Sequence, residues 1–151
     1  MTPWDSEDVA TPHVVSIAVL DTDIDAYDHV NNSVYLSWLD EAAWSHSAAL
    51  GLSLEQCVAL RRGMAAHRTE IDYLRAAVLG DHVLVGTWIV GTDTKLRVER
   101  RFQVRRARDG ETLARARIDY VCINLDSGRA TRMPESFQRS YVITTVMLNE
   151  R

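Results

Sequence analysis

The sequence predicts an α+β layer fold in which a curved antiparallel sheet of five to six strands holds one long central helix. Three observations carry that prediction. Residues 34–50 are apolar at helical spacing, with Tyr35, Leu36, Leu39, Ala42, Ala43, His46, Ala49 and Leu50 on one broad stripe. Later segments, 64–77, 81–92, 95–108 and 111–125, alternate in β-branched and aromatic residues, and the short turn words LGD, GTDT and RDG separate them. The connections are short enough for antiparallel neighbours, and a helix apolar over so much of its surface suits a position inside a sheet that wraps it.

In chain order, residues 1–12 are acidic and proline-bearing without periodicity and are expected to form a loose arm. A single domain then spans 13–151. It opens with HVVSIAVL at 13–20, a short β-branched run that reads as a strand. At the long helix, Asn31, Asn32 or Ser33 supplies the N-cap oxygen and Gly51 the left-handed C′ residue. Ser53 followed by Gln56 forms a capping box for a short second helix through about residue 60, closed near Gly63. Asp109-Gly110 is a two-residue hairpin signal in which both turn positions take positive φ. SGR at 127–129 marks another turn, and 134–143 reads equally as a helix or a last strand.

A length of 151 residues with 46% hydrophobic and 25% charged content argues for a folded chain and against disorder. The net charge of −4 disfavours a general nucleic-acid partner, and the basic run 97–108 alternates with apolar residues as a solvated strand face does. No apolar run is long enough for a membrane span. Cys57 and Cys122 form no CxxC pair and the N-terminus has no basic start or apolar signal core, so a reducing cytoplasm is expected. There is no HExxH, no cysteine pair, no GxSxG elbow and no glycine-rich phosphate loop, hence no expected metal or cofactor.

What remains is the junction VLDTDIDAYDHVNNSVY at 19–35, which crowds carboxylates, a histidine and two asparagines between a strand and a helix. Together with DIDAYDHVNNSVYLSWLDEA at 23–42, ALGL at 49–52, IDYLRAAVLGD at 71–81 and ARARIDYVCINLDSGRATRMP at 114–134, this word resembles the hotdog-fold thioesterases, specifically the 4-hydroxybenzoyl-CoA thioesterase-like acyl-CoA hydrolases. The resemblance covers roughly residues 14–134. Its most specific part is HVNNxxY directly before a helix that ends in LGL. The DxxxHVNN word is also similar to plant acyl-carrier-protein thioesterases.

The resemblance implies that the carboxylate ten positions before Tyr35 is catalytic, which is Asp25, and that the backbone N–H of Asn32 polarises the thioester carbonyl. The second role agrees with the physics of a helix start, whose first amides lack intrahelical acceptors and favour negative charge. A carboxylate at Asp25 either attacks the carbonyl or takes a proton from water. His29, four residues on, orients the carboxylate or water, donates to the thioester, or only holds the loop. The family often carries glycine where this chain has Asp28.

The resemblance further implies an acyl-CoA substrate, with coenzyme A as part of that substrate and not a cofactor, and a homodimer or dimer of dimers. Tyr35, Leu36, Leu39 and Ala43 are expected beside the acyl chain, with Arg75, Arg97 or Arg101 toward the coenzyme A phosphates. Neighbouring Asp40 and Glu41 cannot both face the site, and Glu70 is a minor candidate. The alternatives are an acyl-carrier-protein thioesterase, a dehydratase-like relative, and a non-catalytic acyl-CoA-binding protein, the last favoured by Asp28.

Overall fold

The structure, a computed structural model, describes residues 4–5 and 12–144. Strands β1 (His13–Ala18), β2 (Arg62–Tyr73), β3 (His82–Thr92), β4 (Arg97–Arg106) and β5 (Thr112–Asn124) form one sheet in the order β1-β3-β4-β5-β2. Every pairing is antiparallel. The helices are α1 (Asn32–Ala49), α2 (Leu54–Leu60) and α3 (Glu135–Ser140). Helix α3 settles the choice left open for 134–143.

Helix α1 is bounded as its sequence dictates. The Asn31 side chain accepts from the Ser33 amide at 2.9 Å, and Gly51 takes φ 93° just beyond the C-cap Leu50. Trp38, Leu39 and Ala42 are buried against Val83 and Val85 of β3, Phe102 and Val104 of β4 and Ile118 of β5. Burying each large apolar side chain contributes about 1.5–3 kcal/mol, so this helix–sheet interface is the main stabilising element. Ala42 is fully buried, and a larger side chain there would force helix and sheet apart.

Several local expectations are corrected. Helix α2 has its capping box, with Ser53 and Gln56 bonding each other's backbone, but it closes at Arg61, which takes φ 52°, and Gly63 belongs to β2. The β4–β5 connection is longer than two residues: Arg106 N–H donates to Glu111 O, Gly110 N–H donates to Arg106 O, and of the pair Asp109-Gly110 only Gly110 has positive φ. The extended run from 64 stops at Tyr73, and residues 74–81 turn away to form a wall beside α1.

Two residues near the start of the expected arm, Trp4 and Asp5, are described and touch the sheet. Trp4 lies under the Arg105 guanidinium at 4.8 Å and fills the space where a Cβ on Gly86 would stand, and Asp5 pairs with Arg115. The rest of the expected arm lies outside the described residues. The basic run 97–108 is not a uniformly solvated face either, because β4 is a central strand and both Arg100 and Arg105 are buried. Strand β2, by contrast, is an edge: it pairs only with β5, and from His67 to Tyr73 its residues are mostly exposed.

Candidate active site

The polar junction folds into a tight turn held by its own backbone. Ile24 and Val30 face each other as an isolated antiparallel bridge, Asp25 N–H donates to His29 O at 2.8 Å, and Asp28 N–H donates to Asp25 O at 3.1 Å. Asp28 has φ 60°, a left-handed conformation that aspartate tolerates better than most side chains and glycine adopts freely. The glycine usual at this position in the resembling family is thus explained as a backbone requirement of the turn.

Two further bonds fasten the turn to its surroundings. Val30 N–H donates to Ala77 O at 2.9 Å, and Asn31 N–H donates to Asp23 O at 2.9 Å. Asp23 also accepts from the Leu20 amide with its side chain at 2.8 Å, which commits that carboxylate to the preceding 3-10 turn.

Asp25 is half-buried, and its Oδ1 accepts from the Tyr27 amide at 2.9 Å. Its second oxygen makes no hydrogen bond among the described residues, so the carboxylate is aimed through one oxygen and free on the other. The amide of Asn32, the first helical residue, likewise finds no acceptor among the described residues, as expected for a helix N-terminus. Tyr73 pins that helix start by donating its hydroxyl to Asn32 O at 3.2 Å. Asp25, His29, Asn32, Tyr35 and Arg75 all border one cavity of about 290 Å³ between the turn, α1 and the 74–76 wall.

The remaining predicted positions separate. Tyr35 borders the cavity but is 2% exposed, and its hydroxyl accepts from Ala77 N–H at 3.1 Å, so it ties the wall to the helix. Burial raises the pKa of that hydroxyl above the usual value. Leu36 is 42% exposed on the adjacent face of α1. Leu39, expected beside the acyl chain, is 1% exposed in the helix–sheet core and lines neither cavity. Three residues on, Leu39 lies about 60° around the helix from Leu36, and the sheet covers that side of the shared stripe while leaving Leu36 open.

His29 is exposed and its ring makes no hydrogen bond among the described residues. Arg75 is exposed and pairs with Glu111 at 3.4 Å, Arg101 is engaged by Glu99 at 2.7 Å, and Glu70 by Arg68 at 2.6 Å. Asp40 does not belong to this cavity and instead lines a second one, along with Ala43, Arg100 and Tyr120. Sequence reasoning missed Arg100 because nothing in an alternating basic run marks which arginine faces inward.

Comparison with known proteins decides the family. Residues 19–140 match the profile of the Thioesterase-like superfamily. The chain belongs to this superfamily. It is 30% identical to the long-chain acyl-CoA thioesterase FadM of Escherichia coli (strain K12) over 111 residues, covering 71% of this chain and 80% of that one. It is 36% identical to Protein THEM6 of Danio rerio over 96 residues, a match that spans 63% of this chain and only 47% of that relative. Among solved structures, a thioesterase from Thermus thermophilus complexed with coenzyme A and Zn superposes with a TM-score of 0.69 at 30% identity, covering 85% of this chain and 95% of the other. The superfamily's hotdog fold is the wrapped helix and five-stranded sheet described above.

Proposed function

We propose that this chain hydrolyses acyl-CoA thioesters in the cavity between the 25–29 turn and the start of α1. Superfamily membership supports thioester hydrolysis, and the relatives named for acyl-CoA or crystallised with coenzyme A support the carrier. The observation that carries the reading is the pairing, across one cavity, of a carboxylate with a free oxygen and a helix-start amide with a free hydrogen.

In this reading the thioester oxygen accepts from the Asn32 N–H. Negative charge grows on that oxygen as the tetrahedral adduct forms, and the positive end of α1 stabilises it more than it does the ground state. Asp25 acts by one of two routes. As nucleophile it adds to the carbonyl carbon and expels the coenzyme A thiolate, leaving a mixed anhydride that water splits; as general base it takes a proton from the attacking water. Either route consumes one water, breaks the C–S bond and yields a carboxylic acid and the coenzyme A thiol. His29 lies beside this chemistry and positions the water, the exposed Leu36 offers an apolar wall to the acyl chain, and Arg75 offers its guanidinium to a coenzyme A phosphate.

The twelve-residue edge of β2 supports self-association as a dimer or dimer of dimers, since an unpaired strand edge invites a second copy. Sedimentation should then give at least twice the 17.1 kDa chain mass.

A thiol-release screen over short, long, branched and aromatic acyl-CoA thioesters, run beside acyl-carrier-protein thioesters, tests the function. Turnover of an acyl-CoA is expected. Faster turnover from the carrier protein would move the reading to that substrate, and acyl-CoA binding without thiol release would make the chain a binding protein.

A further inference from the structure

Arg100, in the middle of β4, is 3% exposed and has no carboxylate partner among the described residues. Its Nη1 meets His46 Nδ1 at 2.5 Å and its Nη2 donates to Ser47 Oγ at 3.4 Å, while its Nε is buried without a hydrogen-bond partner among the described residues. Burial, and next the arginine itself, holds His46 down at about 3, so this neighbour is a neutral imidazole accepting through Nδ1. Ser47 shares its hydroxyl with Tyr141 at 2.9 Å. Among the described residues the cation is therefore solvated by neutral dipoles alone.

The guanidinium also stands over the Tyr120 ring at 5.9 Å and acts on its hydroxyl, which is a second buried polar atom with no well-formed hydrogen bond among the described residues. Chiefly through burial its pKa is pushed up to about 12, so it is a neutral O–H donor near pH 7. Desolvating a charge without a counter-ion is costly, and buried polar atoms are nearly always satisfied. Here a buried cation and two unsatisfied donors, Arg100 Nε–H and Tyr120 O–H, lie together at a cavity of about 260 Å³. Among the described residues Asp40 is the one carboxylate on the lining; it is exposed and makes no ion pair with Arg100. What Arg100 and Tyr120 lack among the described residues is an acceptor bearing negative charge.

The position of the cavity says how such a group arrives. Asn32, Leu36, Asp40, Ala43 and Ser47 follow one another at steps of three and four along a single face of α1, so this face starts at the proposed thioester site and ends at the Arg100 cavity. From Asn32 to Asp40 the helix rises about 12 Å. The exposed Leu36 gives the stripe an apolar middle.

We propose that the Arg100 cavity receives the far end of an acyl chain that terminates in a carboxylate, which makes ω-carboxy acyl-CoA thioesters the substrate class. A carboxylate accepts from Arg100 and from Tyr120 together, and the charge-assisted pair forms in a desolvated pocket. The inference rests on the thioesterase reading, and the two are tested separately.

Thiol release is compared for matched pairs, adipoyl- with hexanoyl-CoA, sebacoyl- with decanoyl-CoA, dodecanedioyl- with dodecanoyl-CoA and hexadecanedioyl- with palmitoyl-CoA. At the chain length that spans the stripe, kcat/KM is expected to favour the ω-carboxy partner by at least ~10-fold. That ratio falls toward one in Arg100→Gln and in Tyr120→Phe, and Arg100→Lys retains part of it. A ratio at or below one at every length overturns the inference, as does an unchanged ratio in a folded Arg100→Gln. Where Arg100→Gln does not fold, the wild-type ratio and Tyr120→Phe decide, since phenylalanine only removes a buried hydroxyl that has no hydrogen-bond partner among the described residues. Silence of both series would instead defeat the thioesterase reading. Calorimetry with free sebacic and decanoic acids then judges the cavity alone: tighter binding of the diacid supports it, and equal or weaker binding overturns it.

Discussion

Asp28 donates its backbone N–H to the carbonyl of Asp25 across 3.1 Å from a left-handed φ of 60°. The residue that departs from the resembling family's usual glycine is therefore the one that closes the turn around the proposed reactive carboxylate. Its side chain is exposed, so the substitution exchanges one left-handed residue for another and leaves the course of the turn unchanged.

Asp28→Gly is accordingly expected to keep thiol-release activity and to shift stability by no more than ~1 kcal/mol. Asp28→Val puts a β-branched residue at positive φ, which costs ~1–3 kcal/mol of local strain, and it should lower kcat by misaiming Asp25. Paired urea unfolding and kinetics check both. A valine variant with wild-type kcat would show that the turn does not hold the carboxylate.

Tyr35→Phe removes the acceptor of the Ala77 N–H inside the core. Leaving a buried donor unsatisfied costs ~1–3 kcal/mol, and the urea midpoint should fall accordingly. Because the 74–77 wall borders the cavity, KM should rise as well. An unchanged midpoint would mean that water replaces the phenol at no cost.

His46 gives the fold an acid-sensitive component. Burial first, then Arg100 and His13, lowers its pKa from 6.5 to about 3. Between those values the unfolded chain holds a proton that the folded chain excludes, so stability is undiminished above pH 6.5 and declines as the pH falls toward 3. His13, stacked on His46 at 5.1 Å and lowered by burial and Arg100, acts with the same sign. His46→Asn retains an acceptor for Arg100 and should flatten the decline, as read from denaturation at a series of pH values. A slope equal to wild type would contradict the assignment.

Where a local rule has a local cause, the sequence was legible. The limits of α1 could be read from Asn31 and Gly51, and the α2 start from Ser53 and Gln56, since caps are chemistry between residues a few positions apart. Asp25 and Asn32 were located by a family word, and the structure places both on one cavity. Properties set by packing were not legible. Leu36 and Leu39 carry the same side chain on the same helix, yet one is open and the other sealed, because the sheet decides which side of a broad apolar stripe it covers. Arg100 and Arg101 are adjacent in a basic strand, and alternation tells that they point opposite ways without telling which way is in. The DG word gave the right hairpin with the wrong loop length, because the Arg106–Glu111 bond closes the strand pair earlier than the turn signal implies.

The central claim is that Asp25 supplies the reactive carboxylate, and the measurement that tests it most directly is kcat for acyl-CoA hydrolysis by Asp25→Asn. Asparagine keeps the oxygen that accepts from the Tyr27 amide, so the turn should persist, with unchanged circular dichroism and urea midpoint. The account predicts a fall in kcat of at least ~100-fold, the scale of a lost general base or nucleophile. A folded variant that retains wild-type kcat would contradict it.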